Sequence, residues 1–367
     1  MKTFPLSQLA RIEKGKQIDT RNVTETGKFR YINGGIKESG YYDRFNSSGP
    51  CVLISEGGAS CGYVNYVDEN FWCGCHCYRL SDIKARPKYL FYALKANQMA
   101  LMNLRTGATM PNIKKKTLCN MPILIDENAA DQEDVVRRLC LIQSAIDTKK
   151  KENEGFDALI KSRFIEMFGD PTESKDSHFL KDATTDLIRG PFGSALKKAF
   201  FVSESEDTFK IYEQKHAIQD DEKIGAYYID EKRYRSLKRF AIRPKDIIMS
   251  CSGTIGRTHI MSANCRPGVI NQALLLIRLD RTKCNDVFFQ KQMDFIMTRL
   301  STAGSAIKNI SSIKVIGKTP FLLPAIDLQL KFADYAKLID KSRFVVQQQI
   351  KDLQELLDSK MDEYFGQ

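Results

Sequence analysis

One stretch of this chain occurs twice. "RTGATMPNIKKK", Arg105 to Lys116, returns as "STAGSAIKNISS", Ser301 to Ser312. Laying Gly107 on Gly304 also lays Asn112 on Asn309 and Ile113 on Ile310, an offset of 197 positions. The same offset carries Gln132 onto Gln329, Ile142 onto Ile339, Leu159 onto Leu356, Phe168 onto Phe365 and Gly169 onto Gly366. Toward the start the offset shrinks. Ser55 and Gly58 in "VLISEGGASCG" match Ser250 and Gly253 in "IIMSCSGTIG", and Phe4 and Gly15 match Phe179 and Gly190 at an offset of 175. Such self-similarity means one folding unit duplicated, and the second copy carries 22 extra residues in its front part. A length of 367 residues is enough for two domains and their connections.

Each copy divides into a globular front and a helical rear. In 130–168, Val135, Leu139, Ile142, Ile146, Phe156, Ile160, Phe164 and Met167 recur mostly at steps of three and four. In 327–365, Phe332, Leu338, Val345, Ile350, Leu353, Leu357, Met361 and Phe365 do much the same. That is the apolar seam of a long helix paired with another. Asp131 is a candidate cap for the first, and Gly169 and Pro171 stop it. Two ordinary core helices are the plainer reading, but 39 residues exceed the usual helix length of about 10–14. Each helix would measure about 58 Å. Parallel packing would force the second globular unit to bridge that length. Antiparallel packing does not. The expected fold is therefore α+β: two mixed α/β units, 1–129 and 169–326, in a pseudo-two-fold arrangement. Two long antiparallel, coiled-coil-like helices, 130–168 and 327–367, separate them.

The charge follows the same division. The chain carries a net +11. Residues 1–129 and 169–326 each hold a net +7, whereas the two helices are slightly acidic. Two basic heads on a nearly neutral spacer suit a polyanionic partner. No apolar run reaches the length of a membrane span, and "MKTFPLSQLARIEKGKQ" has charges where a signal peptide needs an apolar stretch. The expectation is a cytoplasmic protein with no membrane partner, whose ten cysteines are reduced thiols. No G-x-x-x-x-G-K-[ST] loop occurs, which fits a non-catalytic chain.

Several stretches suit DNA. "SEGGAS" and "SCSGTIG" follow apolar runs, so a strand leads into a Gly-rich turn whose N–H groups suit phosphate oxygens. This selects Ser55, Gly57, Gly58 and Ser60, then Ser250, Ser252, Gly253, Thr254 and Arg257; a tight hairpin between core strands is the alternative. "YINGGIKESGYYDRF" offers Asn33, Lys37, Tyr41, Tyr42 and Arg44, residue types that read base edges or pack on sugars. A solvated loop anchored by its two tyrosines would look the same. Lys14, Lys16, Gln17 and Arg21, and in the second copy Arg189, Ser194, Lys197, Lys198 and Lys215, fit phosphate or base contacts, or an ordinary basic surface. The basic stretch 230–243 is a further candidate for phosphates. "CGCHC" holds four potential zinc ligands, Cys73, Cys75, His76 and Cys77, but the spacing suits a core strand of small hydrophobes better, and no metal site is expected. "NIKKK" and its relative "NISSI" are expected to form the joint between each globular unit and its helix.

Together these pieces resemble a known family. "YINGGIKESGYYDRFN", "VLISEGGASCGYV", "FWCGCHCYRL", "TGATMPNIKKKTL" and "FIEMFGDP", followed by "IRGPFGSALKK", "DIIMSCSGTIGR" and "GVINQALLLIRL", are similar, in order and along the whole chain, to the specificity subunit of type I restriction–modification systems. The resemblance implies a target recognition domain in each globular unit, reading one half of a bipartite asymmetric sequence in double-stranded DNA. It implies helices that set the spacing and dock two methyltransferase subunits, which carry S-adenosylmethionine. A restriction–translocase subunit would complete the complex, and this chain would be non-catalytic with no cofactor of its own. The rivals are a coiled-coil adaptor without a DNA role, and a zinc-dependent enzyme using the Cys73–Cys77 cluster.

Overall fold

A computed structural model of the chain describes residues 1–107, 109–171, 173, 178–302 and 313–366. It divides into two compact units, Met1–Lys151 with Val346–Gln367, and Glu152–Val345. The second copy of the repeated loop, with Gly304, Asn309 and Ile310, lies outside the described residues.

The first unit is built on a four-stranded antiparallel sheet in the order Arg11–Lys14, Cys77–Ser81, Cys51–Ser55, Val64–Val67. The strand "CVLIS" is buried along its whole length, which is why it sits inside the sheet with no polar alternation. A three-stranded sheet orders Gly40–Tyr42, Phe29–Ile32 and Trp72–Cys73, the last pair parallel. Lys2–Pro5 pairs with Pro122–Ile125. The helix Pro87–Ala96, with Pro at its first turn, buries Tyr89, Leu90, Ala93 and Leu94 against the same core.

The second unit repeats this plan strand for strand. Its four-stranded sheet runs Thr184–Arg189, Leu274–Leu279, Ile247–Ser250, Thr258–Ile260. Its three-stranded sheet runs Tyr228–Ile229, Phe209–Tyr212, Gly268–Ile270, again with the last pair parallel. His178–Phe179 pairs with Pro320–Phe321. The duplicated glycine at the end of the first sheet strand has a steric cause. A Cβ on Gly15 would lie 2.1 Å from the Gly74 carbonyl oxygen, and one on Gly190 would lie 1.8 Å from that of Asn271. No side chain fits either place.

The two long helices span Ala129–Phe168 and Ile326–Phe365, 40 residues each. Each starts in one unit and ends in the other. In the first unit, Leu139 and Ile146 of one helix and Leu357, Met361 and Phe365 of the other share a core, and Phe365 meets Tyr89 edge-on at 5.0 Å. In the second unit, Phe164 stacks on Phe288 and meets Phe332 edge-on, and Phe168 meets both edge-on. The expected seam on the second helix needs correction. Leu338 and Val345 stand exposed, at 62% and 47%. The buried path runs through Phe332, Ala336, Ile339 and Val346 instead. Steps of four and three from Phe332 reach Ala336 and Ile339, and a search for large apolar residues passes over the small alanine. Arg343 occupies one seam position, bonded to Asp157 with its guanidinium 5.9 Å from the Phe156 ring.

The matched pair Gln132 and Gln329 performs one task twice. Gln132 accepts from the Arg86 N–H at 2.9 Å and donates to the Asp126 carbonyl at 2.6 Å. Gln329 accepts from the Asn285 N–H at 2.9 Å and donates to the carbonyls of Lys283 and Pro324 at 2.8 Å each. Both lie in the first turn of a long helix and are buried. They tie the helix start to the strand before it and to the segment ahead of the shorter helix beside it.

"CGCHC" is also not one strand. Cys73 ends a strand of the three-stranded sheet and Cys77 begins one of the four-stranded sheet. Gly74 turns the chain between them, its carbonyl accepting from the Cys77 N–H at 3.1 Å. Cys73 and Cys77 pack in an apolar cluster with Cys51 and Phe71, Cys75 is half-buried and His76 is exposed. The Cys77 thiol, burial and Cys51 together push the Cys73 thiol far above its ordinary value. Among the described residues no group of three or more His, Cys, Asp or Glu side chains could hold a metal ion, and no helix is long and apolar enough to cross a membrane.

Candidate nucleic-acid interface

Three segments of the first unit converge, beside His76, on one cleft of about 440 Å³. The first is the connection 33–39 between the strands Phe29–Ile32 and Gly40–Tyr42, the second the Gly-rich turn after Cys51–Ser55, and the third the repeated loop at 106–112. The loop closes as a small hairpin: Thr106 and Asn112 exchange both backbone hydrogen bonds at 2.9 Å. It is seated on the turn by Gly58 N–H to the Pro111 carbonyl at 3.0 Å and Ile113 N–H to the Glu56 carbonyl at 2.9 Å. The sequence-based reading of this loop as a joint therefore omits its second role, as one wall of the cleft.

The polar side chains here divide into those that build the cleft and those that face it. Ser55 is buried, and its hydroxyl and that of Ser60 both donate to the Gly34 carbonyl at 2.6 Å. Asn33 uses its Oδ1 to accept the His76 N–H at 3.2 Å. Gly57 and Gly58 line the cleft with bare backbone, and Gly58, at φ +79°, has nothing within 4 Å of where a Cβ would stand. The Lys14 ammonium meets the Glu56 carboxylate at 2.7 Å, and Glu56 also accepts from Tyr78 at 3.1 Å. Burial, with the Glu56 charge adding, pushes Tyr78 up to about 12, so it remains a neutral donor.

The other selected residues of this unit lie on the surface. Lys16, Gln17, Lys37 and Arg44 are exposed. Arg21 is held by Asp19, its guanidinium donating to both carboxylate oxygens at 2.5–3.1 Å and its backbone N–H at 3.0 Å. Tyr41 and Tyr42 are half-buried, and Tyr42 meets Trp72 edge-on at 5.0 Å. His76, Met110 and Asn112 line the cleft and were not selected from the sequence. In the sequence His76 stands out only as a potential metal ligand, and the loop only as a joint.

In the second unit, the connection between the corresponding strands is longer and holds a short helix, Gln214–Ile218. It is clasped to the sheet by His259. This imidazole sits 2.7 Å from Asp220 and 3.5 Å from Glu222, and Glu222 also accepts from the Ser262 N–H at 2.9 Å. Burial pulls the His259 pKa down, but the two carboxylates outweigh it and the net shift is upward. Lys215 pairs with Glu213 at 2.8 Å. Ser250 is buried and donates to the Thr254 carbonyl at 2.6 Å, so it shapes the turn that carries Ser252, Gly253 and Thr254. Arg189 is buried, giving an N–H to the Leu274 carbonyl at 2.9 Å. Lys197 and Lys198 are exposed, and the Ser194 side chain lies outside the described residues. Arg257 is exposed and lines a separate cleft of about 320 Å³ with Lys161, Lys291, Asp157 and Asp294. Burial pushes the Asp294 carboxyl up to about 6, against the pull of Lys291 and Arg257.

The family model for the type I restriction modification DNA specificity domain matches residues 1–155. The match covers the cleft, the Gly-rich turn and the repeated loop together. A putative type I specificity subunit of Mycoplasma genitalium is 32% identical over 145 residues. That stretch is 39% of this chain and only 38% of the relative's own length. The crystal structure of a type I restriction–modification S subunit from M. genitalium covers 99% of this chain and 96% of its own, at 20% identity and a TM-score of 0.56. A chain from a structure on complex assembly and conformational transition of the type I restriction–modification system covers 99% and 97%, at 12% identity and a TM-score of 0.63. At these identities the likeness is one of fold, and it runs over nearly the whole chain.

Proposed function

We propose that this chain is the non-catalytic DNA-reading subunit of a type I restriction–modification complex. Each unit reads one half of a bipartite, asymmetric target in double-stranded DNA, and the two long helices set the spacing between the halves. The supporting observation is one scaffold used twice with unlike loops on it: identical strand orders in both units, but different residues and lengths where the clefts and turns lie. The equal net charge of +7 on the two globular parts suits two phosphate-contacting heads. Two methyltransferase subunits, binding S-adenosylmethionine, would dock on the helices, where Leu141, Leu338 and Phe344 remain 65%, 62% and 69% exposed. A restriction–translocase subunit would join them. The residues that hold S-adenosylmethionine would belong to the methyltransferase, not to this chain.

Genome-wide methylation mapping with and without the gene tests this reading. A bipartite methylated motif should disappear on deletion and return with the intact gene. An unchanged methylation pattern would refute it.

A further inference from the structure

The Thr106–Asn112 hairpin presents Met110 to solvent at 81%, more than any other large apolar side chain among the described residues. The hairpin is closed on itself and fastened to the Gly-rich turn by the backbone bonds at Pro111 and Ile113. Its surroundings are cationic: Arg105, Lys114, Lys115 and Lys116 are exposed, and no acidic residue occurs between 105 and 116. The other copy carries Ile307 at the same offset, so both loops place an apolar residue three positions after their glycine. An apolar point within a basic rim suits a polyanion that also has an apolar feature. On the base edges of the DNA major groove that feature is the C5-methyl of thymine.

We propose that the cleft of the first unit reads a base pair of its half-target, and that Met110 is a specificity-determining residue packing on a thymine methyl there. His76 and Asn112 face the same cleft and offer hydrogen bonds to the neighbouring base edges. The His76 backbone is fixed on both sides, its N–H on Asn33 and its carbonyl on the Glu56 N–H at 2.8 Å, so its ring springs from a rigid point. The inference rests on the DNA-reading function proposed above and adds the residue and the chemical group it selects.

The test is a cycle between protein and DNA, on the full chain in its assembled complex. Each thymine of the first unit's half-target is replaced in turn by deoxyuridine, which lacks only the methyl, and binding is measured for wild type and Met110→Ala. At one position the wild type should lose about fourfold in affinity, the worth of one buried methyl group. Met110→Ala should show no loss there and should keep the wild-type salt dependence. Met110 contributes to no core, so the variant folds as the wild type does. The inference is overturned if no thymine matters, if both proteins are equally sensitive, or if Met110→Ala weakens all duplexes alike. It is also overturned if the variant loses its methyltransferase partner with base preference intact. A wild-type complex without any sequence preference would defeat the proposed function itself.

Discussion

Replacing Gln329 with Met tests how each globular part is fixed to its helix. Methionine keeps the length and most of the volume of glutamine but none of its hydrogen bonds. Gln329 is fully buried and serves three backbone groups, the Asn285 N–H and the carbonyls of Lys283 and Pro324. Each buried group left without a partner costs about 1–3 kcal/mol. The carbonyls fall at the low end, since each keeps a second lone pair, and desolvating an amide is itself unfavourable. The expected loss for Gln329→Met is roughly 3 kcal/mol. Gln132→Met strands two groups at a site that is 5% exposed, so roughly 2 kcal/mol is expected there. A chain of two units need not unfold in one step, so native-state hydrogen exchange is the better measure than a single melting curve. The Asn285 amide should lose about a hundredfold in protection in Gln329→Met and little in Gln132→Met, and the Arg86 amide should show the reverse. Unchanged Asn285 protection would refute the reasoning. So would equal losses at both amides in both variants, which would mean a global effect and not a local tie.

Two further outcomes follow from the packing and the charges. Gly190→Ala forces a Cβ to 1.8 Å from a backbone oxygen, so it should cost more than about 3 kcal/mol in urea unfolding. Gly58→Ala meets open space and only the strain of φ +79°, about 1 kcal/mol; equal losses would refute the steric argument. Asp294, pushed up from 3.8 to about 6, binds its proton more tightly folded than unfolded. Its cost to stability is therefore absent below pH 4, grows as pH rises toward 6 and is complete above it. Asp294→Asn should gain roughly 2 kcal/mol over wild type at pH 7.5 and nothing at pH 3.5, measured by urea unfolding; a pH-independent difference would refute this.

The duplication was legible because a scaffold repeats its constraints. Gly15 and Gly190 recur because a carbonyl stands where a side chain would go, and Gln132 and Gln329 recur because the same backbone groups need partners. The long helices were legible from their period, except where Ala336 and Arg343 held seam positions that a search for large apolar residues skips. The cleft was less legible. Ser55 and Ser60 are selected with a turn whose N–H groups suit phosphate, and the structure adds that both hydroxyls bind the Gly34 carbonyl. Whether a serine points into a loop or out of it depends on which distant segment comes near, and no local pattern records that. His76 and Asn112 were passed over for the same reason: their shared cleft joins segments more than 30 residues apart.

The comparison of the two units indicates where sequence recognition can diverge. Between Gly15 and Ser55 in one copy, and Gly190 and Ser250 in the other, the offset grows from 175 to 195, so nearly all the extra length of the second copy lies there. In each copy that span follows the edge strand of the four-stranded sheet and ends with one of its inner strands, Cys51–Ser55 or Ile247–Ser250. Its middle holds two strands of the three-stranded sheet and their connection. The connection 33–39 lines a cleft in the first unit, and the corresponding 213–227 forms a helix clasped by His259 in the second. The four-stranded sheet, its glycines and the glutamine ties recur in both units because each meets the same steric or hydrogen-bonding demand there. The connections of the smaller sheet bear no such duty. They can lengthen, fold a helix or open a cleft without disturbing the strands beneath, so a change of target would cost the scaffold little if made there. Exchanging 33–39 between related chains should therefore alter one half of a recognised motif and leave the spacing unchanged. An altered spacing would mean that these connections also bear on the joint.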